Sequence, residues 1–198
     1  MTTFAFEPST YAPLAIGFFG LGTGYFIWGG MTLFGQGAAH EEGIDKTIGL
    51  WGIWMPGFMQ FITGVYLLIG LTWFQVFGKQ APLYMAALAF TAYGVHWFAL
   101  GYRRYIGTSE TPNGFMAIPF TAVSILGAIV FFRAGDTPVG ILFIILTLIY
   151  LSEIVASFRI VPNGARLVGI WHFIGGIWLM YLTYAVVLKF VFGDKTWL

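Results

Sequence analysis

The sequence predicts an all-α integral membrane protein, a single six-transmembrane-helix bundle, and three observations carry that reading. Six mostly apolar stretches lie between residues 12 and 190, each near the roughly 20 residues a helix needs to cross hydrocarbon. Of the 198 residues 59% are hydrophobic and only 9% charged, where a soluble domain carries about 25% charged residues. Lipid offers no partner for a bare N–H or C=O, so apolar runs of this length must be helices. Residues 1–198 therefore form one transmembrane domain, with no room for a soluble catalytic module or a nucleic-acid-binding surface. A net charge of +1 gives no pull on polyanions. The absence of cysteine excludes disulfides, thiolate metal sites and cysteine nucleophiles.

The spans are expected at about residues 12–34, 48–74, 82–102, 114–132, 138–158 and 165–190. Thr10 can cap the first helix, with Pro13 in its first turn. The segment before it, from Met1 to Glu7, lacks the basic region of a signal peptide, so the first span is expected to stay in the mature protein. The connection over residues 35–47 carries His40, Glu41, Glu42, Asp45 and Lys46 and reads as a solvated loop. Pro82 and Pro138 mark the starts of the third and fifth helices, and Pro112-Asn113-Gly114 and Pro162-Asn163-Gly164 read as turns. Trp51, Trp54, Trp73, Trp97, Tyr102, Tyr105 and Trp197 suit interfacial positions. Basic residues divide five (Lys46, Arg103, Arg104, Arg159, Arg166) against four (Lys79, Arg133, Lys189, Lys195) between the two sides, which leaves the orientation open.

Many of the 27 glycines fall inside spans. Gly17, Gly20 and Gly24 share one face of the first helix, and the Gly20/Gly24 pair has the spacing that lets helix backbones approach closely. The other reading of that helix is the lining of a narrow pore, closed by Phe18 and Phe19. Three ionisable side chains stand within spans: His96, Glu153 and His172. Each is costly in hydrocarbon and must face other helices or water. Glu153 reads equally as a proton-coupling carboxyl and as an interhelical hydrogen-bonding group. His96 and His172 could carry protons, fill the core, or together ligate a haem, although no flanking pattern for the haem propionates accompanies them. Gln60, Thr91, Thr147 and Ser124 suit interhelical hydrogen bonds.

Two motifs carry a resemblance. Thr10-Tyr11-Ala12-Pro13-Leu14-Ala15-Ile16 resembles the Asn-Pro-Ala-Pro-Leu-Gly-Leu signature of the acetate uptake transporter family, which includes bacterial succinate-acetate permease and yeast acetate transporters. Phe90-Thr91-Ala92-Tyr93-Gly94-Val95-His96-Trp97 resembles that family's Phe-Thr-Ser-Tyr-Gly-Ser-Phe-Trp, and weaker likeness runs through Gln60, Gly64, Leu146-Thr147, Gly169, Gly176, Tyr181 and Leu182. The resemblance implies a homohexamer with one pathway per subunit for acetate and related short carboxylates, often proton-linked. It implies a carboxylate-binding turn at Thr10, Ala12, Pro13 and Leu14, with Gln60, Thr91 and Tyr93 as further binding residues. It also implies a constriction of Phe19, Tyr93 and Leu146. The helix start has its own logic for an anion, since N–H groups and the positive end of the dipole are offered without a cation.

The departures from the family are chemical. Its Asn, first Pro and Gly are Thr10, Tyr11 and Ala15 here, and acidic residues of some members become Leu67 and Val186. Glu153, His96 and His172 replace apolar or small residues, and the stretch over residues 66–88 is longer. The expected function is a channel or transporter, not an enzyme, for acetate and similar monocarboxylates. Succinate lies within the expected range, Glu153, His96 and His172 are the candidates for proton coupling, and no cofactor or metal is expected. The expected setting is the lipid bilayer of a prokaryotic cytoplasmic (inner) membrane. The alternatives are an ammonia or other small-solute channel of the same fold, a haem b redox protein using His96 and His172, and a non-transporting scaffold subunit.

Overall fold

The structure, a computed structural model, describes residues 12–35, 41–77 and 80–192. Thr10, Tyr11, His40, Lys79, Lys195 and Trp197 lie outside the described residues. Among the described residues six helical spans are long and apolar enough to cross a membrane, and there is no strand.

Helix α1 (Leu14–Phe34) begins directly after Pro13, which occupies the cap position and leaves no wasted donor. The second span has three parts: α2 (Ile44–Gly52), a π-helical turn (Ile53–Phe58) and α3 (Met59–Thr72). It starts at Gly43, whose φ of 78° suits glycine, so Asp45 and Lys46 belong to the first helical turn and not to a loop. Pro56, which has no N–H to give, sits within the widened turn. α4 (Ala81–Ile106) carries Pro82 in its first turn and ends on Gly107 in the left-handed region. α5 (Thr111–Arg133) takes Pro112-Asn113-Gly114 into its first turn, where a proline is tolerated, so this motif opens the helix. α6 (Thr137–Ser157) is capped by Asp136, which accepts from the Val139 N–H at 3.1 Å, and α7 (Gly164–Phe192) completes the bundle.

Hydroxyls in the spans are satisfied close to home. Thr23, Thr63, Thr91, Thr121, Thr147, Thr183 and Ser152 each donate to the carbonyl four residues back, at 2.7 to 2.9 Å. The interhelical role expected of Thr91 and Thr147 is therefore replaced by bonds within their own helices.

α1 packs mainly against α7, α5 against α6, and α3 against α4. Two close approaches depend on glycine. A Cβ on Gly24 would stand 2.6 Å from Pro56 Cγ and one on Gly20 2.5 Å from the Met55 carbonyl oxygen, so the paired glycines seat α1 on the π-helical turn. Gly101 of α4 and Gly49 of α2 oppose each other in the same way, each Cβ position lying 2.5 Å from the other's carbonyl oxygen. Outward faces are apolar, with Ile118, Ile125 and Ile129 of α5 and Ile170, Ile174 and Ile177 of α7 exposed.

Candidate functional site

α1, α4 and α6 start on one face of the bundle and end on the other, and a chamber opens at each end of this trio. The first has a volume of about 260 Å³, near the lower end of the ~300–1,000 Å³ of small-molecule sites. Its walls are apolar, built from Leu14, Phe18, Phe90, Leu142, Phe143 and neighbouring aliphatics. Toward the mouth it meets Gln80, Pro82 and Asp136 at the starts of α4 and α6. Those helix starts, with that of α1, bring positive dipole ends to the mouth, and the Asp136 carboxylate opposes them. Among the described residues lining the chamber Asp136 is the one charged side chain.

Deep in this chamber stand Gln60 and Tyr93. Gln60 is 1% exposed, and neither its Nε2 nor its Oε1 has a hydrogen-bond partner among the described residues. A buried amide left unpaired costs about 1–3 kcal/mol for each group, so it is an exception that asks for a reason. Tyr93 is paired: its hydroxyl lies 2.9 Å from Ser124 Oγ. Ser124 gives its own proton to the Phe120 carbonyl at 2.8 Å, so Tyr93 is the donor and its oxygen keeps acceptor capacity.

The second chamber, about 120 Å³, is polar where the first is apolar. His96, Glu153 and His172, on three different helices, all line it. Tyr25 stacks on His172 with ring centroids 4.5 Å apart, and Trp97 lies 6.0 Å from His96 and 6.1 Å from His172. Both ring nitrogens of His96 and Nδ1 of His172 are buried without a partner among the described residues. Glu153 accepts from Ser157 at 3.2 Å. The mouth of this chamber is charged. Arg103 pairs with Glu110 at 3.1 Å, and Arg104 bonds Asp45 at 2.8 Å while lying 5.2 Å from the Trp28 ring centre.

Between the chambers is a double layer. Leu21, Tyr93 and Leu146 face the apolar side, and Tyr25, Trp97 and Tyr150, four residues further along the same helices, face the polar side. All six are 3% exposed or less. Tyr93 and Tyr150 meet across the two layers at 5.6 Å, and Tyr25 and Trp97 meet within the polar-side layer at 6.0 Å.

Of the residues singled out in the sequence, Leu14, Gln60, Tyr93 and Leu146 line the apolar chamber and His96, Glu153 and His172 the polar one. Phe19, expected at a constriction, is 44% exposed on the outside of α1 and lines neither chamber, while its neighbour Phe18 lines the apolar chamber and Leu21 stands in the layer between the two. Thr91 is turned to the α3–α4 seam, where its backbone abuts Gly64, and does not reach the chamber. Ala12 and Pro13 are half-buried beside the start of α1, outside the lining. The two histidines share a chamber too small for a tetrapyrrole, and Trp97 packs against both rings, so these residues do not fit a bis-imidazole haem. Sequence reasoning missed Leu21, Tyr25 and Tyr150 and placed Trp97 at an interface. Spacing of four from Tyr93 to Trp97 and from Leu146 to Tyr150 was the available signal.

No family model and no curated protein matches this sequence. Among solved structures, the chain is similar to that of the bacterial acetate channel SatP, with a TM-score of 0.68 and 19% identity. The likeness covers 96% of this chain and 98% of that one. Over almost its whole length, then, this chain has the fold of a bacterial acetate channel, a protein of the kind its sequence motifs resemble.

Proposed function

We propose that this protein is a membrane channel or transporter for acetate and similarly small monocarboxylates, with succinate at the upper end of its range and with transport linked to protons. The observation that carries the reading is an apolar chamber with an unpaired amide in its depth and an aromatic layer behind it, in a fold shared with an acetate channel. The working unit is a homohexamer in a prokaryotic inner membrane, with one pathway through each subunit.

The chemistry follows from the order of the parts. Positive dipole ends draw a carboxylate solute to the mouth, where Leu14 lines the wall and Ala12 and Pro13 flank it, and there it takes a proton from bulk water before it enters the apolar depth. Gln60 and Tyr93 then offer hydrogen bonds in a region that excludes hydrated ions by being apolar. Leu21, Tyr93 and Leu146 set the width, and movement of this layer with Tyr25, Trp97 and Tyr150 opens the way. On the far side a protonated solute meets the polar chamber, where the Glu153 carboxylate can take the acid proton, with His96 lining the same chamber. The acid O–H bond breaks, the carboxylate leaves toward Arg103 and Arg104 at the mouth, and Glu153 passes the proton on to water. His172 serves as the second acceptor.

The test is uptake of radiolabelled acetate into proteoliposomes, with and without an imposed pH gradient, against excess cold succinate, propionate or ammonium. Uptake above empty liposomes that cold propionate suppresses and a gradient accelerates is expected. Folded protein that takes up no acetate under any gradient overturns the proposal, and suppression by ammonium alone points to ammonia as the solute.

A further inference from the structure

Resting on that reading, the structure also bears on the form in which the solute is held. We propose that the apolar chamber binds the neutral state of its solute, a protonated monocarboxylic acid or the isosteric primary carboxamide, paired through both polar atoms of the Gln60 side chain.

Gln60 presents one acceptor and two donor hydrogens, and its Nε2 and Oε1 are both buried and unpartnered. A protonated carboxyl is its complement. The acid O–H donates to Gln60 Oε1 while Gln60 Nε2 donates to the acid carbonyl, which closes a ring of two hydrogen bonds. An ionised carboxylate can accept from Nε2 but has no proton for Oε1, so it leaves that oxygen orphaned and sets its own charge against it. The surroundings weigh the same way. Phe18, Leu21, Phe90 and Leu146, which line the same chamber as the amide, are apolar, and no cation lines it among the described residues. Asp136 at the mouth adds a negative charge. Tyr93 does not reverse this, because its hydroxyl proton is committed to Ser124 and only an acceptor remains. An anion therefore finds in the depth neither a counter-charge nor enough donors to replace its water. A primary carboxamide has the donor and acceptor pattern of the acid and keeps it at every pH.

The experiment compares binding of acetate and acetamide to the purified full-length protein in detergent by saturation-transfer NMR, across pH values on both sides of the pKa of acetic acid. Acetamide is expected to bind with an affinity independent of pH. Acetate affinity is expected to fall about tenfold per pH unit above that pKa, following the fraction of neutral acid. Gln60→Leu, which removes an unpaired buried amide and so does not threaten folding, should weaken acetamide at least about tenfold, the equivalent of one to two lost hydrogen bonds. A voltage-sensitive dye in proteoliposomes should register no protein-dependent current under an acetate gradient. Acetate binding that holds its strength above the pKa, acetamide that fails to compete, or an acetate current would each overturn the proposal while acetate uptake leaves the transport reading standing. Loss of both acetate binding and acetate uptake in wild-type protein would overturn the transport reading instead.

Discussion

Replacing Leu146 by alanine removes the branched end of a side chain that is 2% exposed and stands in the layer separating the two chambers. In a soluble core such a change costs about 2–5 kcal/mol, the upper part of which reflects a newly formed cavity. Here the vacated space joins a chamber that already measures about 260 Å³, so little new cavity surface forms and the expected loss is close to the lower bound, about 2 kcal/mol. The effect on selection is larger. A pocket distinguishes solutes differing by one methylene by about 1–3 kcal/mol, or about 10–200-fold, and the Leu146 side chain spans more than one methylene. The ratio of acetate to butyrate uptake should therefore fall at least about tenfold in Leu146→Ala, and likewise in Leu21→Ala. Phe19→Ala is the control: the ring faces outward, and its removal should leave the ratio unchanged. The assay is competitive uptake of the two labelled acids by proteoliposomes, with reconstituted protein checked by size-exclusion chromatography. Wild-type ratios in both layer variants, or a Phe19→Ala ratio that falls as far as that of Leu146→Ala, would refute this account of the constriction.

Tyr93→Phe removes one buried hydrogen bond but leaves Ser124 bonded to the Phe120 carbonyl, so it should cost about 1 kcal/mol in thermal unfolding; a loss above about 3 kcal/mol would show a further partner for the hydroxyl. Glu153→Gln keeps an acceptor for Ser157 and removes a group that can pass a proton, so uptake should slow while its acceleration by a pH gradient, which sets the fraction of neutral acid, persists; an unchanged rate removes Glu153 from the proton route. Gly101→Val drives a Cβ to 2.5 Å from the Gly49 carbonyl oxygen and 2.8 Å from the Ile53 amide nitrogen, backbone atoms that cannot step aside. It should lower the unfolding temperature in detergent by the equivalent of about 1–3 kcal/mol or more. Gly30→Val, with nothing within 4 Å of its Cβ position, should not, and equal behaviour of the two would contradict the packing of α2 on α4.

Six spans could be read in the sequence because hydrocarbon leaves the backbone no choice but helix, and apolar length is visible residue by residue. Which face of each helix turns inward could not be read in the same way. Helices that are apolar all round carry no contrast between core and lipid, so Phe18 and Phe19 look alike until α7 and the second span are packed on α1. The same limit explains Thr91, whose motif neighbours Phe90 and Tyr93 face the chamber while it faces Gly64. Polar residues were more legible, since intramembrane ionisable groups stand out at once, and the fold brings His96, Glu153 and His172 to one chamber from three helices. That they meet is a fact of the helix arrangement, which no spacing along the chain encodes. Gln60 was visible as a residue but not as an orphan, because its lack of partners depends on every side chain around it.

The widened turn at Ile53–Phe58 acts as a phase setting for the second span. Each helical residue advances the azimuth by about 100°, so a turn holding one residue more than an α-turn rotates everything beyond it relative to everything before it. On the near side Gly49 and Gly52 are locked against α4 and Trp28, and on the far side Gln60 points into the chamber and Gly64 meets Thr91. Both halves are thus keyed to their neighbours, and the turn is what lets one chain satisfy both keys. Deleting a single residue there would keep the hydropathy and a span long enough for the membrane, yet swing the amide out of the chamber.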